Sequence, residues 1–141
     1  MINANFACMT QLSFYFPDSI YKNIGDRQAS ITDFIKEVLN TPDSKGKPNL
    51  ATLTFNLRFN YAGEGGSPEI ADLEVVNAVY DTETQKGQTT FSYRVERHYT
   101  CSDVKSQQKH TEVCPFEINL VDGLLLLQIP EDESRDTVFE L

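Results

Sequence analysis

Alternation of apolar and polar side chains limits the fold of this chain more than any other feature of its sequence. A period of two places successive side chains on opposite faces of a β-strand, so each alternating segment predicts a strand with one buried face. Four segments alternate in this way: residues 6–16, 52–61, 89–100 and 113–121. Residues 70–80 and 124–129 are apolar on both faces, which is typical of strands that are covered on both sides. Residues 137–141 are a candidate for a last, short edge strand.

One segment has the pattern of a helix instead. Ser30 is a favourable N-cap, and Asp33 follows three residues later, close to a capping box. The apolar stripe of this helix has the spacing i, i+3, i+4, i+7, i+8 and consists of Ile31, Phe34, Ile35, Val38 and Leu39. Pro42 ends the segment. We therefore expect a helix of about ten residues that docks on an apolar surface.

The elements follow one another in the order β-α-β-β-β-β-β. Sequential strands with short connections usually pair antiparallel. We predict an α+β fold in which a single helix packs on a curled, mostly antiparallel meander sheet of about six strands, with residues 1–141 forming one domain. This order resembles that of cystatin-like folds, in which a sheet wraps around one helix. The resemblance implies architecture alone, because the hairpin of residues 78–88 lacks the inhibitory motif that the family has there.

The chain is acidic, with 21 acidic and 12 basic residues and a formal net charge of −9. A protein that binds nucleic acid needs a basic surface for the phosphates, so the negative charge of this chain argues against a nucleic-acid partner. It argues in the same way against an anionic membrane surface. A basic protein partner fits this charge, and so does the simpler interpretation that the charge only keeps the protein soluble.

Membrane insertion is not expected, because no apolar run approaches the about 20 residues of a membrane helix. The longest run is the four leucines 124–127, which suits a buried strand. The first five residues lack the basic region and the long apolar region of a secretory signal.

Two of the three cysteines are predicted to face the core from the two arms of one hairpin. Cys101 shares parity with Tyr99, and Cys114 with Phe116, on either side of a polar turn that we place at residues 102–109. A Cys101–Cys114 disulfide would stabilise the fold by about 3 kcal/mol and would indicate an oxidising compartment, periplasmic or extracellular. Two buried free thiols, compatible with the cytoplasm, are the alternative. Cys8 is expected to be a buried thiol.

His98 and His110 lie near these cysteines at spacings that suggest a zinc site. His98, however, has the parity of the polar face, so four ligands do not converge. Because His98 and Cys101 are predicted on opposite faces of the strand, they are not expected to form a nucleophile–base pair. The sequence therefore predicts no catalytic residue, metal or cofactor.

The densest negative patch lies between the last two predicted strands. It consists of Glu131, Asp132, Glu133 and Asp136. The spacing differs from that of an EF-hand loop, so calcium is not expected. A patch of this charge complements a basic surface by steering and by rim contacts. We take these four residues as the candidate partner-binding site.

Three functions remain open from the sequence. The first is a non-enzymatic protein-binding module, such as an inhibitor or immunity-type protein that neutralises a basic enzyme or toxin. The second is a small-ligand-binding domain or pocket enzyme, whose pocket would be lined by Tyr61, Tyr80, Tyr93 and Tyr99. The third is an extracytoplasmic accessory or structural subunit, which the predicted disulfide alone supports.

Overall fold

The computed structural model describes residues 9–25, 30–64, 67–99 and 104–130. The elements are β1 (Met9–Tyr15), α1 (Asp18–Gly25), α2 (Ile31–Asn40), α3 (Asn49–Arg58), a 3₁₀ helix (Phe59–Glu64), β2 (Ser67–Asp81), β3 (Lys86–Tyr99), β4 (Val104–Asn119) and β5 (Leu124–Pro130). The fold is therefore α+β with an antiparallel sheet, as the sequence predicts. No helix within these ranges is both long and apolar enough to cross a membrane.

The sheet has the strand order β1-β5-β4-β3-β2, and every neighbouring pair is antiparallel. β2 to β5 form the predicted meander, whereas β1 pairs with the last described strand. β1 and β2 are thus the two edges, and the sheet is open. Since the helices connect one edge to the other, the chain passes across one face of the sheet between β1 and β2.

The core lies between that face and the helices. On β3 the buried apolar side chains are Phe91, Tyr93 and Val95. Thr89 and Arg97 are buried on the same face, and the side chains between these five are only partly buried. On β4 and β5 the buried apolar set is Cys114, Phe116, Ile118, Leu125, Leu127 and Ile129. The predicted parity of β3 and β4 is confirmed.

The two segments predicted to be covered on both sides are not covered in that way. Residues 124–129 belong to β5, whose side chains alternate between buried and partly buried. Residues 70–80 belong to edge strand β2, on which Val76 and Val79 are exposed. The sheet therefore has one face in the core and one solvated face, as is common for antiparallel sheets.

The predicted helix is confirmed as α2. The backbone N–H of Asp33 donates to Ser30 Oγ at 3.1 Å, which caps the first turn. The apolar stripe contributes four buried side chains, Phe34, Ile35, Val38 and Leu39. Phe34 packs edge-on against Phe16, with 5.0 Å between the ring centroids. α2 is therefore the helix that closes the core.

The predicted strand at residues 52–61 is wrong, because this segment forms α3 and the start of the 3₁₀ helix. Leu53 and Leu57 are buried four residues apart, whereas Phe55 and Phe59 are exposed. That spacing matches one turn of a helix. A second difference is α1, a helix of eight residues that is not among the predicted elements.

The structure therefore has three α-helices instead of the single helix expected, and five strands within the described ranges instead of about six. The cystatin-like architecture is not confirmed. The candidate edge strand at residues 137–141 lies outside the described residues.

The predicted polar turn at residues 102–109 is also wrong, because β4 begins at Val104 and pairs with β3 along its length. Cys114 lies opposite Thr89, ten residues beyond Val104. Ten residues of strand span about 33 Å. Three residues connect Cys101 to Val104, and such a connection reaches at most about 11 Å. A disulfide needs Cα atoms within about 7 Å.

Cys114 is accordingly a free, buried thiol, and the predicted Cys101–Cys114 disulfide is not formed. Burial raises the pKa of the Cys114 thiol well above its usual range, and Glu112 adds to this effect. The thiol is therefore protonated at neutral pH and unreactive in the folded protein. Cys101 and Cys8 lie outside the described residues.

Alkylation without reductant tests this assignment. We expect Cys114 to be protected in the native protein and fully alkylated once the chain is denatured, with peptide mass spectrometry locating the label. A reduced and denatured sample is the control, since it reports complete labelling. A Cys114 that reacts in denaturant only after reduction would show that it is in a disulfide.

Candidate functional site

Helix α3 has apolar side chains on two opposite sides. Leu53 and Leu57 face the core and are fully buried, and the amide of Asn49 donates to the carbonyl oxygen of Val38 at 2.8 Å. These contacts fix α3 against α2. The side chains of Phe55 and Phe59 lie on the outside, where they are 53% and 62% exposed. A surface helix usually keeps its outer face polar, so this outer pair is unusual.

The two phenylalanines and Arg58 form one contiguous surface, which we call the aromatic surface. The rings of Phe55 and Phe59 meet edge to face, with 5.2 Å between their centroids and 88° between their planes. The guanidinium carbon of Arg58 lies 5.9 Å from the centroid of Phe55. Arg58 Nε donates to the carbonyl oxygen of Pro68 at 3.1 Å, so the side chain is also held from β2.

These contacts restrict the side chains before any partner arrives. Edge-to-face aromatic pairs and a cation over a ring are each worth about 0.5–1.5 kcal/mol. Aromatic and arginine side chains are the groups most enriched where protein interfaces concentrate their binding energy. A restrained Phe–Arg–Phe surface therefore has the composition and the rigidity of an interface anchor.

The solvated face of the sheet has a different character. Arg94 Nε donates to Asp72 Oδ2 at 2.9 Å, and Arg94 Nη1 donates to Gln107 and lies 2.9 Å from Glu96. The hydrogen bond with Asp72 raises the pKa of Arg94. Arg94 thus makes surface ion pairs, whereas Arg58 contacts an aromatic ring and a backbone carbonyl. Exposed pairs of this kind add little stability and indicate no binding site.

A buried polar cluster lies on the core face, at the other end of the sheet from the β2–β3 turn. The hydroxyl of Tyr93 donates to Glu112 Oε1 at 3.2 Å and so accepts from the hydroxyl of Tyr61, 2.7 Å away. The ring of His110 stacks on Tyr93 at 5.9 Å and 19°. Arg97, 4% exposed, lies over the Tyr61 ring and donates to the Tyr61 carbonyl oxygen at 3.1 Å.

The cluster is built for stability more than for proton transfer. Burial is the main cause of the raised pKa of Tyr93, and its hydrogen bond with Tyr61 adds to it. The phenol therefore stays neutral over the physiological range and is not a base. His110 Nε2 is buried, with no hydrogen-bond partner among the described residues. We find no nucleophile and base in contact within this group.

The predicted pocket of four tyrosines is not formed as a unit. Tyr61 and Tyr93 are in contact, but Tyr80 stacks on Phe116 and pairs with Gly87, six residues along β3 from Tyr93. Six residues of strand correspond to about 20 Å. The side chain of Tyr99 lies outside the described residues.

The acidic residues that the sequence singled out, Glu131, Asp132, Glu133 and Asp136, also lie outside the described residues. Their role as a partner-binding site stays a prediction. Within the described ranges, no three histidine, cysteine or carboxylate side chains converge as metal ligands do.

Comparison of the chain with models of protein families, with curated proteins and with solved structures found no match in any of the three.

The aromatic surface was missed because residues 52–61 were interpreted as a strand. In that interpretation Leu53, Phe55, Leu57 and Phe59 share one face, and all four are expected in the core. Helical spacing separates them into a leucine pair and a phenylalanine pair, each with members four residues apart. The sequence does contain this signal, since Leu53–Leu57 and Phe55–Phe59 are both i, i+4 pairs.

Replacement of Tyr93 by phenylalanine tests the buried cluster. The change removes the hydroxyl that joins Tyr61 to Glu112 and leaves buried polar atoms with fewer partners, so we expect a loss of about 1–3 kcal/mol in unfolding free energy. Urea denaturation gives the measurement. Tyr15→Phe is the matched control, because Tyr15 is 73% exposed and its change should stay within about 0.5 kcal/mol. Equal effects of the two replacements would contradict the assigned hydrogen bonds.

Proposed function

We propose that this chain is a non-enzymatic protein-binding module whose aromatic surface is the anchor of the interface. The observation that supports the proposal is the exposure of Phe55 and Phe59 on the outer side of a helix whose inner side is already packed in the core. The residues of α3 that pack in the core are Leu53, Leu57 and Asn49, with Leu50 partly buried beside them. The fold itself therefore does not require the two phenylalanines. A partner with apolar pockets would bury them.

Charge complementarity defines the partner further. A net charge of −9 attracts a basic protein over long distances and raises the rate of encounter. The acidic residues 131, 132, 133 and 136 belong to this proposal as a steering patch, with the aromatic surface supplying the short-range contacts. A basic enzyme or toxin that the chain inhibits is the partner class that best fits this combination of long-range charge attraction and short-range aromatic contact.

The alternative of an extracytoplasmic structural subunit loses its support. It depended on the Cys101–Cys114 disulfide, and Cys114 is a free thiol.

Photo-crosslinking followed by binding measurements tests the anchor. A benzoylphenylalanine at position 55 should capture one dominant protein, whereas the same group at the exposed position 15, on the solvated sheet face, should not. With that protein purified, we expect Phe55→Ala combined with Phe59→Ala to weaken binding at least about 30-fold, since hot-spot residues contribute about 2 kcal/mol or more. The loss should appear mainly as faster dissociation.

Val76→Ala combined with Val79→Ala is the matched control, because both valines are exposed apolar residues on edge strand β2, away from α3. Their replacement should leave the affinity unchanged. Undiminished affinity in the double phenylalanine variant would remove the aromatic surface from the interface.

The steering patch has a separate kinetic signature. Replacing Glu131, Asp132, Glu133 and Asp136 by their amides should slow association and flatten its dependence on salt, with dissociation unchanged. An unchanged association rate would exclude these four residues while leaving the anchor untouched.

A further inference from the structure

A groove of about 260 Å³ lies where the end of α2 and the start of α3 meet strand β2. Its floor is apolar and consists of Leu39, Leu50, Leu73 and Val75. Leu39 and Val75 are buried, while Leu50 and Leu73 are only partly covered. Ligand sites in proteins begin near 300 Å³, so this groove suits a small molecule. It shares no residue with the aromatic surface.

Strand β2 is irregular at this groove. Leu73, Glu74 and Val75 are consecutive and all line it. In a regular strand the middle one of three consecutive side chains points to the opposite face. The register with β3 shifts between Ala71 and Glu74, and again between Val75 and Asn77. Such bulges redirect side chains and are frequent beside binding sites.

The bulge contains a residue with an unusual backbone conformation. Asp72 has a φ of 55°, in the left-handed region that few non-glycine residues adopt. Its carboxylate accepts a hydrogen bond from Arg94 Nε on the solvated face of the sheet. That contact keeps the carboxylate of Asp72 away from the groove. The acidic side chain of the groove comes instead from Glu74, two residues further along the strand.

Two side chains of opposite charge line the groove together with its apolar residues. Lys36 comes from α2 and Glu74 from β2, and both side chains are exposed. Neither forms an ion pair within the described part of the chain. Asn40, the last residue of α2, adds an amide that both donates and accepts. The groove thus presents a cation, an anion and an amide around a small apolar surface.

From this arrangement we propose that the groove binds a free aliphatic α-amino acid of the size of leucine. The ligand carboxylate pairs with Lys36, the ligand ammonium pairs with Glu74, and the branched side chain covers Leu50 and Leu73. A ligand with only one of the two charges leaves a groove charge without a partner.

Calorimetric titration of the full chain with L-leucine tests the proposal. We expect saturable binding with a Kd of about 1 mM or tighter. Three further compounds test the contacts of leucine one at a time: 3-methylbutylamine lacks the carboxylate, 4-methylpentanoate lacks the ammonium, and glycine lacks the side chain. Each should bind at least about tenfold more weakly than leucine, because each loses one of the three contacts.

Substitutions of the two charged groove residues test whether leucine binds in this groove. Lys36→Met and Glu74→Gln should each weaken leucine binding at least about tenfold, since glutamine has the shape of glutamate, methionine keeps most of the lysine stem, and both changes remove the charge. Lys45→Met and Glu83→Gln, exposed residues of loops outside the groove, are the matched controls and should bind leucine as the unmodified chain does.

Three results would overturn the proposal: no heat of binding with leucine, equal binding by Lys36→Met and Glu74→Gln, or equal binding of N-acetyl-leucine amide. The last result would indicate a groove for the apolar side chain of a peptide. The Phe55→Ala, Phe59→Ala variant should retain leucine binding, so failure of the protein-binding function and failure of this site are distinguishable.

Discussion

The pairing of β1 with β5 is the interaction on which the rest of this structure depends. Seven residue pairs, from Met9↔Pro130 to Tyr15↔Leu124, join the first described strand to the last. Because β2 lies at the opposite edge, the chain must cross the sheet before the meander can start. α1, α2 and α3 make that crossing and cover one face. The other face has no helix within the described part of the chain and is solvated, with the ion pairs of Arg94 beside exposed apolar side chains such as Tyr15 and Val113.

The crossing also explains why α3 has two apolar sides. Four buried side chains of α2 and the leucine pair of α3 cover the sheet, and Asn49 links the two helices through the carbonyl of Val38. Nothing in that packing involves Phe55 or Phe59. The groove arises from the same layer, since it lies where the two helix ends leave the bulged edge of β2 uncovered. The groove therefore results from the way the helical layer meets the edge of the sheet, whereas the packing of the core does not require the aromatic surface.

Much of this fold was predictable from sequence where one face of an element is buried. The parity of β3 and β4 and the stripe and cap of α2 are examples, because burial imposes a period that the residues must follow. Residues 52–61 were not predictable, since Leu53 to Phe59 fit a period of two and a period of four equally well. The start of β4 was missed for another reason. Residues 104–109 contain one apolar residue, and pairing with β3 makes them a strand regardless.

The candidate site was predicted less well than the fold. Tyr61 and Tyr93 were predicted to line one pocket and do meet in the core, but the aromatic surface depends on the helix that the sequence interpretation lacked. The bulge at Asp72 results from a positive φ at a non-glycine residue, which no local sequence signal marks. The error in the cysteine pairing has the same origin as the error in β4, because a turn displaced along a hairpin changes every residue pair in it.

The two-sided character of α3 is tested most directly by comparing the unfolding free energies of Leu57→Ala and Phe55→Ala. Leu57 is fully buried, so its replacement should cost about 2–5 kcal/mol. Phe55 faces solvent, and its replacement should cost no more than about 1 kcal/mol. In a strand the two residues would share one buried face. Comparable losses for the two variants would therefore contradict the helix, and with it the aromatic surface.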